Sequence, residues 1–314
     1  MGKRKLALVG MQNAGKTSIL RLLAREVDQL VDPAPTTGVD REYLDVLGER
    51  LVVWDFGGQK TYRDAYLADP ARYFSEVSVL FFAFDAKDEA LVEEALEYFA
   101  RVVAAVVQLN PGARFVVLLH KQDPPASKRS SLARQLAERA TLTCEELAGR
   151  PPDVFDTSIF DAMSVVGAFS RVLLGSGTLY SQVSAVMRRF CEARACQFGV
   201  VFSREVLELG NYKREGLEWA SIHAELRKFF SIVRENFEEE HVTFESERLC
   251  LLCSKFHFDL GSTRLPFYVV VGVDKGVPPD VERATAEALT DLSSDFQKVF
   301  GALKPGELVR VTRV

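Results

Sequence analysis

Several features that would direct a chain to a membrane are missing. The 314-residue sequence has no apolar run of about 18 residues, the length that a membrane-spanning helix needs. Its first residues lack the apolar centre of a signal peptide, Leu6 stands where a myristoylation pattern needs Ser or Thr, and its last residues offer no cysteine for prenylation. We therefore expect a cytoplasmic protein that only its partners recruit to an internal membrane surface.

Positive charge is not in excess either, since the formal net charge is −5. A protein that follows a phosphate backbone usually carries a basic field, so we expect no nucleic-acid partner. The composition, 47% hydrophobic and 26% charged, is ordinary for a globular protein. A chain of this length can bury a large core without disulfides or structural metals.

Cysteine is scarce and odd in number, which is typical of a reducing compartment. The spacings Cys250-x-x-Cys253 and Cys191-x4-Cys196 leave a zinc site open as an alternative. However, Cys250 and Cys253 fall in a predicted strand, where residues three apart point to opposite faces. We therefore favour buried structural thiols for these four and for Cys144.

Strand and helix patterns alternate through the first half of the chain. Apolar runs predict strands at 5–9, 42–46, 50–56, 77–84, 114–119 and 153–157. This alternation predicts an α/β fold with a mainly parallel sheet, which binds its ligand at the carboxyl ends of the strands.

The pattern changes at the Gly-Ser-Gly segment 175–177, which we interpret as part of a linker. Beyond it, helices and strands predict an α/β sandwich that carries no catalytic motif. We expect a nucleotide-binding domain at 1–172, a linker at 173–178 and a second domain at 179–314.

Residues 10–17, read as GMQNAGKT, match the P-loop pattern G-x-x-x-x-G-K-[ST] between a predicted strand and a predicted helix. Backbone amides of such a loop face phosphates, Lys16 reaches the β- and γ-phosphates, and the Thr17 hydroxyl binds Mg²⁺. A chance glycine-rich turn is the alternative. The expected phosphate contacts are Gly10, Asn13, Ala14, Gly15, Lys16, Thr17 and Ser18.

A second motif, WDFGGQ at residues 54–59, ends a predicted strand. Asp55 can hold Mg²⁺ through a water, the Gly58 amide can sense a γ-phosphate, and Gln59 is suited to orient an attacking water. Together with Lys16, Gly58 and Gln59 form the expected catalytic set. The alternative is a plain Gly-Gly turn between a strand and a helix.

The motif HKQD at residues 120–123 predicts guanine selection. The Asp123 carboxylate can accept two hydrogen bonds from guanine, whereas adenine presents no such pair of donors. Lys121 would pack its stem along the base, and His120 stands where most GTPases have Asn. A charged loop after a strand is the alternative.

Two weaker signals complete the set. The backbone amides of Ser158 and Ile159, at a strand-to-helix junction, can contact the base oxygen. In the loop PTTGV at residues 35–39, Thr36 can close on Mg²⁺ when a γ-phosphate is present. The expected metal ligands are therefore Thr17, Thr36 and Asp55.

These motifs resemble Arf-like GTPases and, more closely, the Rag/Gtr GTPases. HKQD is similar to the HKxD of Rag/Gtr proteins, and TSIF at residues 157–160 is similar to their TSI-aromatic loop. The region 176–314 resembles their roadblock-type (longin-related) domain, which Arf-like proteins lack. The PTTG loop is closer to the Arf-like form.

The resemblance implies a molecular switch that binds GTP or GDP with Mg²⁺ and forms a homodimer or heterodimer through its roadblock-type domain. It implies GTPase-activating and exchange factors, roadblock-type scaffold proteins and nutrient-responsive kinases as partners. No arginine finger can be assigned within the chain, so we expect slow intrinsic hydrolysis. A nucleotide-stabilised scaffold and a P-loop kinase or ATPase remain alternatives.

Overall fold

The chain forms two compact units, which divide between Ala168 and Phe169. The computed structural model describes residues 5–24, 36–46, 49–123, 129–174, 178–203, 207–219, 221–223, 225–226, 241–245, 248–260, 263–276 and 279–301. The first unit contains β1 (Lys5–Gly10), α1 (Lys16–Leu23), β2 (Val39–Val46), β3 (Glu49–Phe56), α2 (Lys60–Ala68), α3 (Pro70–Phe74), β4 (Val77–Asp85), α4 (Val92–Leu109), β5 (Arg114–His120), α5 (Ser131–Ala148), β6 (Asp153–Thr157) and most of α6 (Ala162–Leu173).

The sheet of the first unit has the strand order β2-β3-β1-β4-β5-β6. Strand β1 runs parallel to β3 and β4, and β5 runs parallel to β4 and β6. The register sets Gly10 beside Ala83, and His120 beside both Asp85 and Thr157. The carboxyl ends of these strands therefore share one edge of the sheet.

Helix α4 covers this sheet with the apolar stripe that the sequence predicts. Its residues Val92, Leu96, Phe99, Val103 and Val106 are all buried. Phe99 meets two phenylalanines of β4 edge-on, with ring centroids 4.9 and 5.5 Å apart. Full burial of one such side chain stabilises the fold by roughly 1.5–3 kcal/mol, so the stripe fixes α4 on the sheet.

The second unit contains α7 (Thr178–Ala193), β7 (Phe198–Ser203), β8 (Glu208–Lys213), β9 (His241–Glu245), β10 (Leu249–Leu260), β11 (Thr263–Asp274) and α8 (Pro279–Gly301). Its sheet has the order β8-β7-β11-β10-β9, and every neighbouring pair is antiparallel. Helix α7 packs against β7 and β8, and α8 packs against β10 and α7. The predicted apolar face of α8 is buried at Leu289, Leu292, Phe296 and Phe300.

The fold class is therefore confirmed: a mainly parallel α/β sheet precedes an α/β unit built on an antiparallel sheet. All five cysteine side chains are buried, as predicted. Within the described ranges, no helix is long and apolar enough to cross a bilayer. The segment 175–177 lies outside the described residues, as does most of the span 219–233, where apolar residues at helical spacing predict a helix.

Candidate nucleotide site

A cavity of about 330 Å³ lies in the first unit, where the carboxyl ends of the parallel strands meet. It brings together five segments that are separate in sequence: the P-loop, the loop at Thr36, WDFGGQ, HKQD and TSIF. Its lining residues are Gln12, Asn13, Gly15, Lys16, Thr17, Ser18, Thr36, Gly58, Gln59, His120, Lys121, Asp123, Ile159 and Phe160.

The P-loop turns from β1 into α1 through unusual backbone angles. Asn13 and Gly15 have φ values of 62° and 84°, in the left-handed region that tight anion-binding turns use. A Cβ on Gly10 would collide with the carbonyl oxygen of Ala83. Helix α1 then begins at Lys16, so its first amides and the positive end of its dipole lie at the cavity.

Lys16 is buried, and its Nζ donates to the carbonyl oxygen of Met11 at 2.8 Å. Burial lowers the pKa of Lys16 to about 8, partly opposed by the nearby Asp55 carboxylate. The ammonium group is therefore still mainly protonated at pH 7, as phosphate binding requires.

The three expected metal ligands converge on one point. Thr17 Oγ1 and Thr36 Oγ1 lie 2.8 and 3.0 Å from Asp55 Oδ2, and 2.9 Å from each other. The other carboxylate oxygen, Asp55 Oδ1, is buried and has no hydrogen-bond partner among the described residues. Burial raises the pKa of Asp55, against the charge of Lys16 and the bonds from both threonines.

This set of groups fits Mg²⁺. A hard divalent cation prefers oxygen ligands, and the cluster offers two hydroxyls and a carboxylate. A buried acceptor without a partner is costly, and a cation with its bound waters would satisfy Asp55 Oδ1. Thr17, Thr36 and Asp55 are therefore the residues that would hold the ion.

The two glycines of WDFGGQ lie tightly against other site segments. A Cβ on Gly58 would collide with the backbone of Met11 and Gln12, and one on Gly57 would lie 2.7 Å from the carbonyl oxygen of Thr36. Gln59 directly precedes the first residue of α2 and is half-buried at the cavity. The segment therefore touches both the P-loop and residues 36–38.

His120 lies between the P-loop and the end of β6. It is 1% exposed, and its Nδ1 lies 3.0 Å from Thr157 Oγ1. The opposite edge of the ring faces the P-loop, where a Cβ on Gly15 would lie 2.7 Å from Nε2. Burial lowers the pKa of His120 to about 4, so the ring is neutral at pH 7. His120 is thus a support of the P-loop that also lines the cavity.

The expected base-selecting carboxylate is already engaged. Asp123 Oδ1 accepts from Ser158 Oγ at 2.5 Å, and Oδ2 forms an ion pair with Lys87. Burial alone would raise the pKa of Asp123, but these two bonds hold it below its usual value. Lys121 forms a separate ion pair with Asp85 at 2.6 Å, which fixes its stem at the cavity.

The backbone amide of Ser158, which the sequence predicts as a base contact, has a partner inside the protein. The backbone amide of Ser158 donates to Ser164 Oγ at 2.9 Å, so it is not directed to a base. The amide bond closes the turn that leads into α6. The Ser158 hydroxyl makes a separate bond, in which it donates to Asp123. Ile159 lines the cavity.

Some of the expected site residues lie next to the cavity lining and not in it. Gly10, Ala14, Asp55 and Ser158 do not line the cavity, although Asp55 bonds Thr17 and Thr36, which do. Gln12, Phe160 and Lys87 belong to the site as well, although the motifs do not predict them. Gln12 and Phe160 lie inside recognised motifs, and Phe160 is 67% exposed, which is unusual for so large an apolar side chain.

Comparison with known proteins agrees with this geometry. The GTP-binding protein GTR1 of Saccharomyces cerevisiae is 28% identical over 177 residues, 52% of this chain and 56% of that protein. The GTP-binding protein gtr2 of Schizosaccharomyces pombe is 32% identical over 181 residues, 55% of each chain. The ADP-ribosylation factor-like protein alp41 of Schizosaccharomyces pombe is 36% identical over 90 residues, 29% of this chain and 45% of that protein.

The chain spans about half the length of the two GTR relatives it matches. A family model described as the Gtr1/RagA G protein conserved region matches residues 5–209, which is more than half of the chain. The resemblance inferred from the motifs is thus confirmed, and the chain belongs to the Gtr1/RagA family of G proteins.

Proposed function

We propose that this protein is a guanine-nucleotide switch that binds GTP or GDP with Mg²⁺ and hydrolyses GTP slowly. The observation that carries the proposal is the convergence of Thr17, Thr36 and Asp55 on one point beside the P-loop. Thr36 comes from a loop separate from the P-loop, so closure of that loop can report which nucleotide is bound.

The phosphates would lie over the P-loop. Lys16 supplies a buried positive charge, and the amino end of α1 adds backbone donors. When bound, Mg²⁺ would neutralise negative charge on the phosphate oxygens. Thr17 and Asp55 would hold the ion in both nucleotide states, and Thr36 would join them when a γ-phosphate is present.

Guanine would lie between HKQD and the loop that contains Ile159 and Phe160. Asp123 is ionised at neutral pH, because Lys87 and Ser158 lower its pKa. Its oxygens have lone pairs left for the N1–H and the amino group of guanine. Lys121, held by Asp85, would cover one face of the base.

Hydrolysis would depend on Gln59 and Gly58. Gln59 lines the cavity at the start of α2 and is suited to orient the attacking water, while the Gly58 amide is suited to the γ-phosphate. Among the described residues that line the cavity, none is an arginine. We therefore infer slow intrinsic turnover and a need for an activating partner that adds positive charge.

The second unit would serve assembly. We infer a roadblock-type domain at 179–314 that forms a homodimer or heterodimer, joined by a linker at 173–178 to the nucleotide-binding domain at 1–172. Its antiparallel sheet, with helices packed on it, supports this inference. Activating and exchange factors, roadblock-type scaffolds and recruitment to an internal membrane by partners belong to the same proposal.

Single-turnover GTP hydrolysis tests the proposal. Gln59→Leu should bind GTP as the wild type does but hydrolyse it at least about 10-fold more slowly, a typical loss for a positioning group. Gln135→Leu is the matched control, because Gln135 is exposed on α5. Wild-type hydrolysis rates in Gln59→Leu would contradict the assigned mechanism. A wild-type protein that binds GTP without hydrolysing it would instead favour a nucleotide-stabilised scaffold.

A further inference from the structure

The carbonyl oxygen of Gly38 accepts two hydrogen bonds from one segment of the chain. The Gly57 amide donates to it at 2.8 Å, and the Tyr66 hydroxyl donates at 2.6 Å. A backbone carbonyl oxygen has two lone pairs, so these bonds use its full accepting capacity. The position of Gly38 therefore depends on the segment 57–66.

Tyr66 is a rigid donor. It is 1% exposed, and its ring meets Phe56 and Tyr73 at centroid distances of 4.9 Å each. Side chains packed in this way keep one rotamer, so the aromatic core sets the position of the hydroxyl. Tyr66 does not line the nucleotide cavity.

Thr36 lies two residues before Gly38 and shares its constraint. Its hydroxyl bonds Asp55 Oδ2 and Thr17 Oγ1, while Gly38 is bonded to the segment 57–66. Gly57 fits beneath this loop so closely that a Cβ would lie 2.7 Å from the Thr36 carbonyl oxygen and 3.0 Å from that of Gly38. Release of Gly38 would therefore move Thr36 away from the cation ligands.

We propose that Tyr66 is a positioning residue. Its hydroxyl bond to Gly38 fixes residues 36–38 on the segment 57–66 and so holds Thr36 at the cation site. We call this bond the latch. This inference rests on the proposed function and deepens it. Because Thr36 serves the ion when a γ-phosphate is present, the latch favours GTP binding over GDP binding. It also couples the position of α2, which begins beside Gln59, to the closure of the loop.

The first test is hydrogen exchange in Tyr66→Phe, which removes one oxygen and keeps the ring. Tyr98→Phe is the matched control, because Tyr98 is also buried and its hydroxyl has no hydrogen-bond partner within the described part of the chain. Peptides that contain Gly57 and residues 36–46 should exchange faster in Tyr66→Phe and as in wild type in Tyr98→Phe. Unchanged exchange in Tyr66→Phe, or an equal change in both variants, overturns the latch.

The second readout separates positioning from general stability. Tyr66→Phe should lower the affinity for a non-hydrolysable GTP analogue in Mg²⁺ by about 5- to 10-fold, as expected for one hydrogen bond, and leave the affinity for GDP unchanged. Equal losses for both nucleotides overturn the positioning role. If the wild type binds no guanine nucleotide, the proposed function fails together with the positioning role, while the exchange data still decide whether the hydrogen bond holds the loop.

Discussion

His120 packs one edge of its imidazole against the P-loop at Gly15, and the opposite edge hydrogen bonds Thr157. A Cβ on Gly15 would lie 2.7 Å from His120 Nε2, and His120 Nδ1 lies 3.0 Å from Thr157 Oγ1. One buried ring thus connects the phosphate loop to the end of β6. The contact makes the shape of the P-loop depend on a residue from the base-recognition motif.

Gly15→Ala should therefore abolish high-affinity nucleotide binding. The φ of 84° strains any residue with a Cβ, and the added methyl group must also displace a buried ring. Affinity for fluorescent GDP should fall at least about 100-fold, which corresponds to about 2.7 kcal/mol. Gly112→Ala is the control, because a Cβ there meets nothing within 4 Å; equal affinity in the two variants would contradict this account of the P-loop.

His120→Asn should change how stability depends on pH. Burial lowers the pKa of His120 to about 4, whereas an unfolded histidine titrates near 6.5. Between these values the unfolded state binds more protons, so the contribution of His120 is complete above about pH 6.5 and is lost as pH falls toward 4. The loss is at most about 1.4 kcal/mol per pH unit.

Urea unfolding of both proteins, in the same nucleotide state, measures this effect. The other titratable groups are the same in the two proteins, so their contributions cancel in the difference between the two free energies of unfolding. This difference should be constant above pH 7. As pH falls further, wild type should lose stability relative to His120→Asn. A difference that does not change with pH would mean that His120 is not buried in its neutral form.

Asp123→Asn should change which base is bound. The variant presents one acceptor and one donor, which matches the N1–H and the C2 carbonyl of xanthine instead of the two donors of guanine. GTP affinity should fall on the order of 100-fold, because a buried donor loses a charged acceptor, and XTP affinity should rise. Asp153→Asn is the control, because Asp153 is the first residue of β6, whereas Ser158, the partner of Asp123, follows the last. Displacement of a bound fluorescent nucleotide by XTP or by GTP measures the two affinities. An unchanged preference for GTP would show that Asp123 does not contact the base.

Thr17→Ala should uncouple nucleotide release from Mg²⁺. The Thr17 hydroxyl contacts both Asp55 and Thr36, so its loss removes one proposed ligand and one support of the other two. Chelation of Mg²⁺ should speed GDP release at least about 10-fold in wild type, the effect of losing a bound divalent charge, and have little effect in the variant. Thr143→Ala is the control, since that hydroxyl donates to the Arg139 carbonyl oxygen within α5. An EDTA response equal to that of wild type would place the ion elsewhere.

Much of the first unit could be predicted because its central strands β1, β4 and β5 are buried on both faces. All six residues of β1 are buried, and such strands appear in sequence as short apolar runs before a glycine. Helix α5 was not identified individually, although it has signals at both ends. Ser130 caps its amino end by accepting from the Ala133 amide, and Gly149 ends it with a φ of 70°. Strand β8 ends in Gly-Asn-Tyr-Lys, which is not an apolar run, so its end at Lys213 could not be predicted from the sequence pattern.

Site residues could be predicted from the sequence where they lie together in one short motif. The family is confirmed, and the P-loop, WDFGGQ and HKQD motifs do meet at one cavity. The pairing of Lys87 with Asp123 has no comparable signal, because 36 residues separate the two side chains. The bond from Tyr66 to Gly38 likewise joins residues 28 apart. Such contacts depend on tertiary packing, and one sequence contains no period or spacing that reveals them.

The most direct test of the central claim is to identify the nucleotide released by heat from the protein purified in Mg²⁺ buffer. The three converging oxygen ligands, the buried Lys16 and the ionised Asp123 predict GDP or GTP at close to one molecule per chain. An adenine nucleotide at that ratio would contradict the account, because Asp123 would then not select the base.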